Sequence, residues 1–308
     1  MILIISDKND IHADRVESIL QRNAAVYSRL NLDIDSLKST KVRFENNYFK
    51  IDGPNCCFST NEIEAVWNRG TRLEHFIENN CPPIEDHFIW KEIWNKTLEK
   101  LFSSLESTKW LNFYQDFYEE SHFREYAISN NVGLKWPSYI CSNDINYLNS
   151  FFECKKERVL ELMDQSCQLK TAGDCFEKCG DKFGKAFTDN LPALDCIAAY
   201  TTYQVRCTVV GKEYFVGKIK ASTIPEYEGI QTEQQSYMVV QPPKSIKNKA
   251  IQIMAELNLT HGVFDFIVTD NDEWYFDALN PTGKYEWIED IKDSDISSSI
   301  AKWLMTHN

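Results

Sequence analysis

Two rhythms of apolar and polar residues run along this chain and divide it into strands and helices. The opening run Ile2-Leu3-Ile4-Ile5 is continuously apolar and short, as a fully buried strand is. From about residue 11 to residue 23 apolar positions recur at helical spacing, and Asp10 stands where a helix cap is expected. A second strand is expected over 24–30, and residues 41–52 alternate about Glu45-Asn46-Asn47 as a hairpin does. Residues 63–68 read as another strand, closed by Arg69-Gly70-Thr71-Arg72. Those two arginines at a strand end are placed to meet an anion, or simply to face solvent. Pro82-Pro83 breaks the chain. Phe88, Ile89, Ile93, Trp94, Leu98, Leu101 and Phe102 then mark a helix over 85–105.

The rest of the chain continues in the same two rhythms. A helix over 122–131 ends in Asn130-Asn131-Val132-Gly133, a C-cap signal, and residues 134–141 are extended. Another helix is expected from about 143 through Phe151-Phe152. The strand beginning at Ser166 opens into the small-residue loop Lys170-Thr171-Ala172-Gly173. Residues 203–219 form a hairpin about Gly211-Lys212, with Arg206 and Lys218 inside its strands. The polar, proline-punctuated stretch 220–242 reads as a long loop, and 244–257 as an amphipathic helix. A second hairpin spans 261–280, and a single helix over 289–304, acidic in its first half, closes the chain.

Composition narrows the function classes. With 308 residues, 43% hydrophobic and 26% charged, the chain is of ordinary globular make-up and long enough for about two domains or one multilobed one. It has no apolar run of about 18 residues and no basic, apolar leader, so a cytoplasmic protein without a membrane span is expected. Its ten cysteines include no CxxC pair, and they read as reduced, buried small residues. A net charge of −13 argues against a nucleic-acid partner, yet allows a nucleotide if a few basic side chains and a metal gather locally.

The candidate chemistry lies in the last hairpin. Asp265 interrupts the apolar run His261–Val268, while Asp277 and Asn280 stand near the end of the run that follows. A carboxylate in an apolar strand costs several kcal/mol unless paired. Two adjacent strands can instead aim such oxygens at one point, as Mg2+ with nucleotide phosphates requires. The same residues also fit a plain hairpin whose Asp and Asn face water. Lys170, at a strand end, can reach a phosphate as a point charge or be solvated at its turn.

Lys170, Arg206, Asp265 and Asn280, in that order on alternating strands, resemble the ATP-grasp ligases. More narrowly, the chain is similar to the graspetide peptide maturases, the microviridin-type and grasp-with-spasm enzymes. The resemblance runs through MILIISDKND at the start, VWNRG at 66–70, ISNNVGLKWPSYI at 128–140 and CQLKTAG at 167–173. It continues through YQVRCTVVGKEYFVGKI at 203–219, HGVFDFI from 261 and YFDALNPTGKYEWIED ending at 290.

The resemblance implies an ATP-grasp fold of class α+β and α/β. An N-terminal α/β pre-grasp domain (1–112) would precede a central lobe (113–195) and a C-terminal lobe (196–308), the lobes clasping ATP between antiparallel sheets. It further implies phosphorylation of an Asp or Glu side chain of a leader-bearing precursor peptide. A Ser/Thr hydroxyl or Lys amine would then displace phosphate, giving a macrocyclic ester or amide.

By position, Lys170 would touch the ATP phosphates and Arg206 would stabilise the transferring phosphoryl group. Cys196, Ile197, Ala198 and Ala199 would form the hinge offering backbone groups to adenine, with Lys218 beside the nucleotide. Asp265 and Asn280, joined by Asp277, would hold Mg2+. A homodimer is compatible with the resemblance.

One departure bears on the metal. The family's metal motif reads Glu-x-Asn, but Ala278 stands two places before Asn280. Asp277 is one place off and belongs to the opposite sheet face unless a bulge re-aims it. Two further readings therefore stay open: a catalytically degraded ATP-grasp protein that binds a peptide or partner, and a ligase for a free amino acid.

Overall fold

The computed structural model describes residues 1–69, 84–113, 122–142, 144, 147, 150, 159–162, 165–167, 194–198, 203–220, 240–269, 271–292 and 295–306. The N-terminal part runs β1 (Ile2–Ser6), α1 (Ile11–Arg22), β2 (Tyr27–Asn31), α2 (Ile34–Lys38), β3 (Lys41–Glu45), β4 (Tyr48–Gly53), β5 (Cys56–Ser59), β6 (Ala65–Asn68), α3 (Ile84–Ser103) and β7 (Lys109–Trp110). Then come α4 (His122–Asn131), β8 (Ser138–Ser142), β9 (Val159–Leu162), β10 (Gln165–Cys167) and β11 (Leu194–Ala198). The last part holds β12 (Tyr203–Val210), β13 (Glu213–Lys220), α5 (Lys244–Glu256), β14 (His261–Val268), β15 (Trp274–Asn280), α6 (Glu286–Lys292) and α7 (Ile296–Met305). Among the described residues no helix is long and apolar enough to cross a membrane.

The unbroken apolar β1 is explained by its place. It lies inside the parallel sheet β2-β1-β6-β7, and both faces of that sheet are covered. Leu3, Ile5 and Val66 pack against Leu98, Leu101 and Phe102 of α3 and against Phe49, Ile51 and Phe58 of the small sheet β3-β4-β5. Ile2, Ile4 and Trp67 face the other way, onto Val16 and Leu20 of α1 and Ile300 and Leu304 of α7. The last helix of the chain thus completes the core of its first sheet.

Local chemistry sets the boundaries. Asp10 caps α1 by accepting from the amides of His12 at 2.9 Å and Ala13 at 3.2 Å. The β3–β4 turn sits on Asn46 and Asn47, whose φ values of 53° and 70° are those of a tight hairpin turn. Gly133, at φ 72°, ends α4 as the C-cap signal anticipates.

Two expectations shift. The second strand starts at Tyr27 rather than Ala24, because Ala24 sits at positive φ just beyond α1. The single closing helix is two, α6 and α7; the amide and hydroxyl of Ser297 both bond to the Glu289 carboxylate across the break. The helix expected from 143 falls largely outside the described residues.

Two four-stranded antiparallel sheets follow, β10-β9-β11-β8 and β13-β12-β14-β15. The strand β11 straddles the expected junction at 195/196, and it pairs with β8 and β9 of the central sheet. One face of the C-terminal sheet is the core: Val205, Cys207, Phe264, Phe266, Phe276 and Leu279 pack under α5. The opposite face carries the candidate chemistry.

Candidate functional site

Because paired residues in a sheet share a face, the register of β12, β14 and β15 decides what meets what. Arg206 stands opposite Asp265, and Asp265 opposite Ala278. The Arg206 guanidinium donates through Nε and a terminal nitrogen to the two Asp265 oxygens, both at 2.8 Å, and through its other terminal nitrogen to the Lys284 carbonyl at 3.3 Å. This two-pronged contact is the strong form of a charge-assisted hydrogen bond. It answers the question of the lone carboxylate in an apolar strand: Asp265 is paired. Burial works against the Arg206 charge, but Asp265 outweighs it, helped by Glu286 and Asp277, and the guanidinium is held above its ordinary range.

The contribution of Asp277 locates it. Phe266 pairs with Phe276 while Asp265 pairs with Ala278, so Asp277 is the extra residue of a bulge in β15. Without that bulge Asp277 would share the core face with Leu279. With it, Phe276 takes the core and Asp277, half-buried, acts electrostatically on Arg206. The bulge thus converts an Asp-x-x-Asn spacing into a carboxylate near the Asp265 row. Asn280, opposite Val263, is exposed; its side-chain oxygen accepts from the Thr282 amide at 2.8 Å and hydroxyl at 3.1 Å.

Asp265, Asp277 and Asn280 offer only oxygen donors, the chemistry a hard cation takes. Among the described residues no three acidic, imidazole or thiol groups converge on a metal by themselves. Two carboxylates and an amide suit Mg2+, which keeps several waters and draws other ligands from nucleotide phosphates.

The remaining predicted residues stand as follows. Lys170 and Ala199 lie outside the described residues. Cys196 and Ile197 are flanked by β8 and β9 on both sides, and Ala198 pairs with Ser138 of β8. Lys218 takes the position opposite Val205; it is Gly217 that faces Arg206. Arg69, read as a possible anion contact, instead donates to Asp10 at 2.9 Å and to the Thr282 carbonyl at 2.9 Å. Arg72 lies outside the described residues.

Sequence reading did not single out Trp287, Glu286 or Asn112. A Cβ on Gly217 would lie 2.7 Å from the Trp287 ring, so glycine there lets the indole lie against the sheet beside Arg206. Gly217→Ala should cost about 1–3 kcal/mol through overpacking, read as a lower denaturation midpoint in urea.

Glu286 meets His12 Nε2 at 3.0 Å, and this contact, against the opposing effect of burial, holds its carboxyl down at about 2. Its contribution to stability is therefore present above the ordinary carboxylate range and is lost as pH falls toward about 2. Glu286→Gln should flatten that part of an acid-unfolding profile, measured by circular dichroism. His261 nearby is fully buried; burial, then the Arg69 charge, press its imidazole down to about 3, and it is neutral.

No protein-family model matches the chain, and no curated protein matches it. Solved structures do. The macrocyclase MdnC bound with precursor peptide MdnA, from Microcystis aeruginosa MRC, superposes with a TM-score of 0.82 at 19% identity, covering 100% of both chains. A RiPP-associated ATP-grasp ligase of Chryseobacterium gregarium, in complex with ADP and a leader and core peptide, gives 0.73 at 18% identity, covering 98% of this chain and 96% of that one. The ATP-grasp ligase PsnB, complexed with minimal precursor, Mg and ADP, gives 0.73 at 12% identity, covering 99% and 96%. From its first sheet to its last helix, then, the chain has the fold of the ATP-grasp ligases, and it resembles those associated with RiPP peptides.

Proposed function

We propose that this chain is an ATP-dependent peptide ligase of the graspetide type. The γ-phosphoryl group of ATP passes to an Asp or Glu side chain of a precursor peptide, giving an acyl phosphate and ADP. A Ser/Thr hydroxyl or Lys amine of the same peptide attacks the acyl carbon; phosphate leaves, the nucleophile loses its proton, and a macrocyclic ester or amide closes. The observation that carries this reading is the Arg206–Asp265 pair with Asp277 turned toward it by the bulge. The fold that holds it is shared over the whole length with peptide macrocyclases.

In this reading the half-buried Arg206 offers a fixed positive charge to the transferring phosphoryl, where charge spreads over oxygens in a loose transition state. Asp265, Asp277 and Asn280 would hold Mg2+, which when bound neutralises phosphate oxygens. Lys170 would contact the phosphates. Cys196, Ile197, Ala198 and Ala199 would form the hinge for adenine. We divide the chain as pre-grasp domain, central lobe and C-terminal lobe, with the second junction after Ala198, and place its action in the cytoplasm, where ATP is supplied.

The test is incubation with ATP, Mg2+ and a panel of leader-bearing peptides carrying Asp/Glu near Thr, Ser or Lys. ADP release with loss of one water per ring, read by mass spectrometry, supports the proposal. ADP release driven by a free amino acid alone would transfer it to a small-substrate ligase. The degraded-module reading draws on Ala278 opposite Asp265; nucleotide binding without ADP release across the panel would favour it.

A further inference from the structure

The turn that carries Asn280 is held from outside its own sheet. Asn112, just beyond β7 and 5% exposed, donates from its side-chain nitrogen to the His261 carbonyl at 2.7 Å and the Pro281 carbonyl at 3.4 Å. Its side-chain oxygen accepts from the amides of Thr260 at 2.8 Å and His261 at 2.9 Å. One buried amide thus ties the start of β14 to the end of β15. Next to it, Arg69 donates to the Thr282 carbonyl at 2.9 Å, with its charge anchored on Asp10. Burial opposes the Asp10 carboxylate, yet Arg69 and the Ala13 amide outweigh it and hold its pKa below the ordinary value. Consecutive carbonyls, Pro281 and Thr282, are therefore fixed from the N-terminal sheet. Asn280 is bound into the same turn through the Thr282 amide, so wherever the two carbonyls are held, its side-chain oxygen follows.

We infer that Asn112 and Arg69 are positioning residues that clamp the Asn280 turn and set the metal affinity of the nucleotide site from the N-terminal domain. The inference rests on the reading of Asn280 as a metal ligand given above. Each acts through the backbone of residues 281–282. Groups of this outer kind change metal affinity by about 10–100-fold when replaced.

Two variants test the clamp. Asn112→Asp keeps the oxygen that accepts from Thr260 and His261 but turns an acceptor toward two carbonyls. Arg69→Lys keeps the charge beside Asp10 but lacks the second nitrogen that reaches Thr282. ADP is titrated calorimetrically into wild type and both variants at a series of Mg2+ concentrations, and amide hydrogen exchange is followed at residues 282 and 283. Circular dichroism and thermal unfolding report folding, and Arg69→Lys carries the test if Asn112→Asp does not fold.

The expected result is metal-free ADP affinity within about twofold of wild type. The Mg2+ concentration for half-maximal enhancement rises at least about tenfold, and exchange in the turn is faster. A folded variant that is merely less stable, with the Mg2+ response of wild type, overturns the clamp and leaves the metal reading intact. Wild-type ADP binding that ignores Mg2+ overturns the metal reading and the clamp with it.

Discussion

Arg206→Lys is expected to slow ADP release by about 10²–10³-fold while nucleotide affinity changes little, the loss typical of removing one preorganised donor from a developing charge. The substitution keeps a positive charge but not the planar fork that grips both Asp265 oxygens and still reaches the Lys284 carbonyl. An ammonium can satisfy one of those partners well and not all three. Arg206→Ala should be worse, because it removes the guanidinium that pairs with Asp265 on a partly covered sheet face. Rates of ADP release at saturating ATP and peptide, beside ADP affinities from calorimetry, separate the effects. If both variants bind and turn over as wild type does, Arg206 is a structural partner of Asp265 and the phosphoryl group is stabilised elsewhere.

Much of this site is legible in the sequence because it is built from local period and turn chemistry. An apolar strand broken by Asp265, a hairpin partner ending in Asn280, and a second hairpin carrying Arg206 require only alternation and tight turns to be recognised. Their pairing into one sheet is not legible in the same way: β12 lies beside β14 rather than only beside its sequential neighbour β13, and that non-sequential pairing sets Arg206 opposite Asp265.

What the sequence hid is long-range. Arg69 reads as a free cation at a strand end until Thr282, far along the chain, accepts from it. Asn112 sits between Leu111 and Phe113, and a polar residue framed by apolar neighbours was a signal; its partners at 260, 261 and 281 were not. The closing helix read as one because its apolar positions run on across the break that Glu289 and Ser297 bridge. The bulge itself leaves a trace: Trp274 and Phe276 are two apart, but the next core residue, Leu279, is three further on. A strand keeps one face only at even spacing, so that odd step marks where β15 gains a residue.

The bulge makes the second large prediction. Asp277→Asn should weaken the Mg2+-dependent part of ADP binding and lower ADP release by about 10–100-fold or more, as loss of a charged oxygen from a hard-cation site does. The amide keeps the size and the hydrogen-bonding outline, so folding should be preserved. The decisive comparison moves the carboxylate by one residue. Ala278 lies opposite Asp265 in register, so Asp277→Ala combined with Ala278→Glu places a carboxylate on the same row by the regular two-residue period. That double variant should regain part of the Mg2+ response that Asp277→Ala alone loses, which calorimetric titration of ADP over a Mg2+ series would show. Recovery means that the bulge exists to bring an off-register aspartate to the row that Ala278 leaves empty of oxygen. If Asp277→Ala binds Mg-ADP as wild type does, Asp277 tunes the charge of Arg206 and nothing more. In that case a gain from Ala278→Glu alone would identify the missing ligand and favour the catalytically degraded reading.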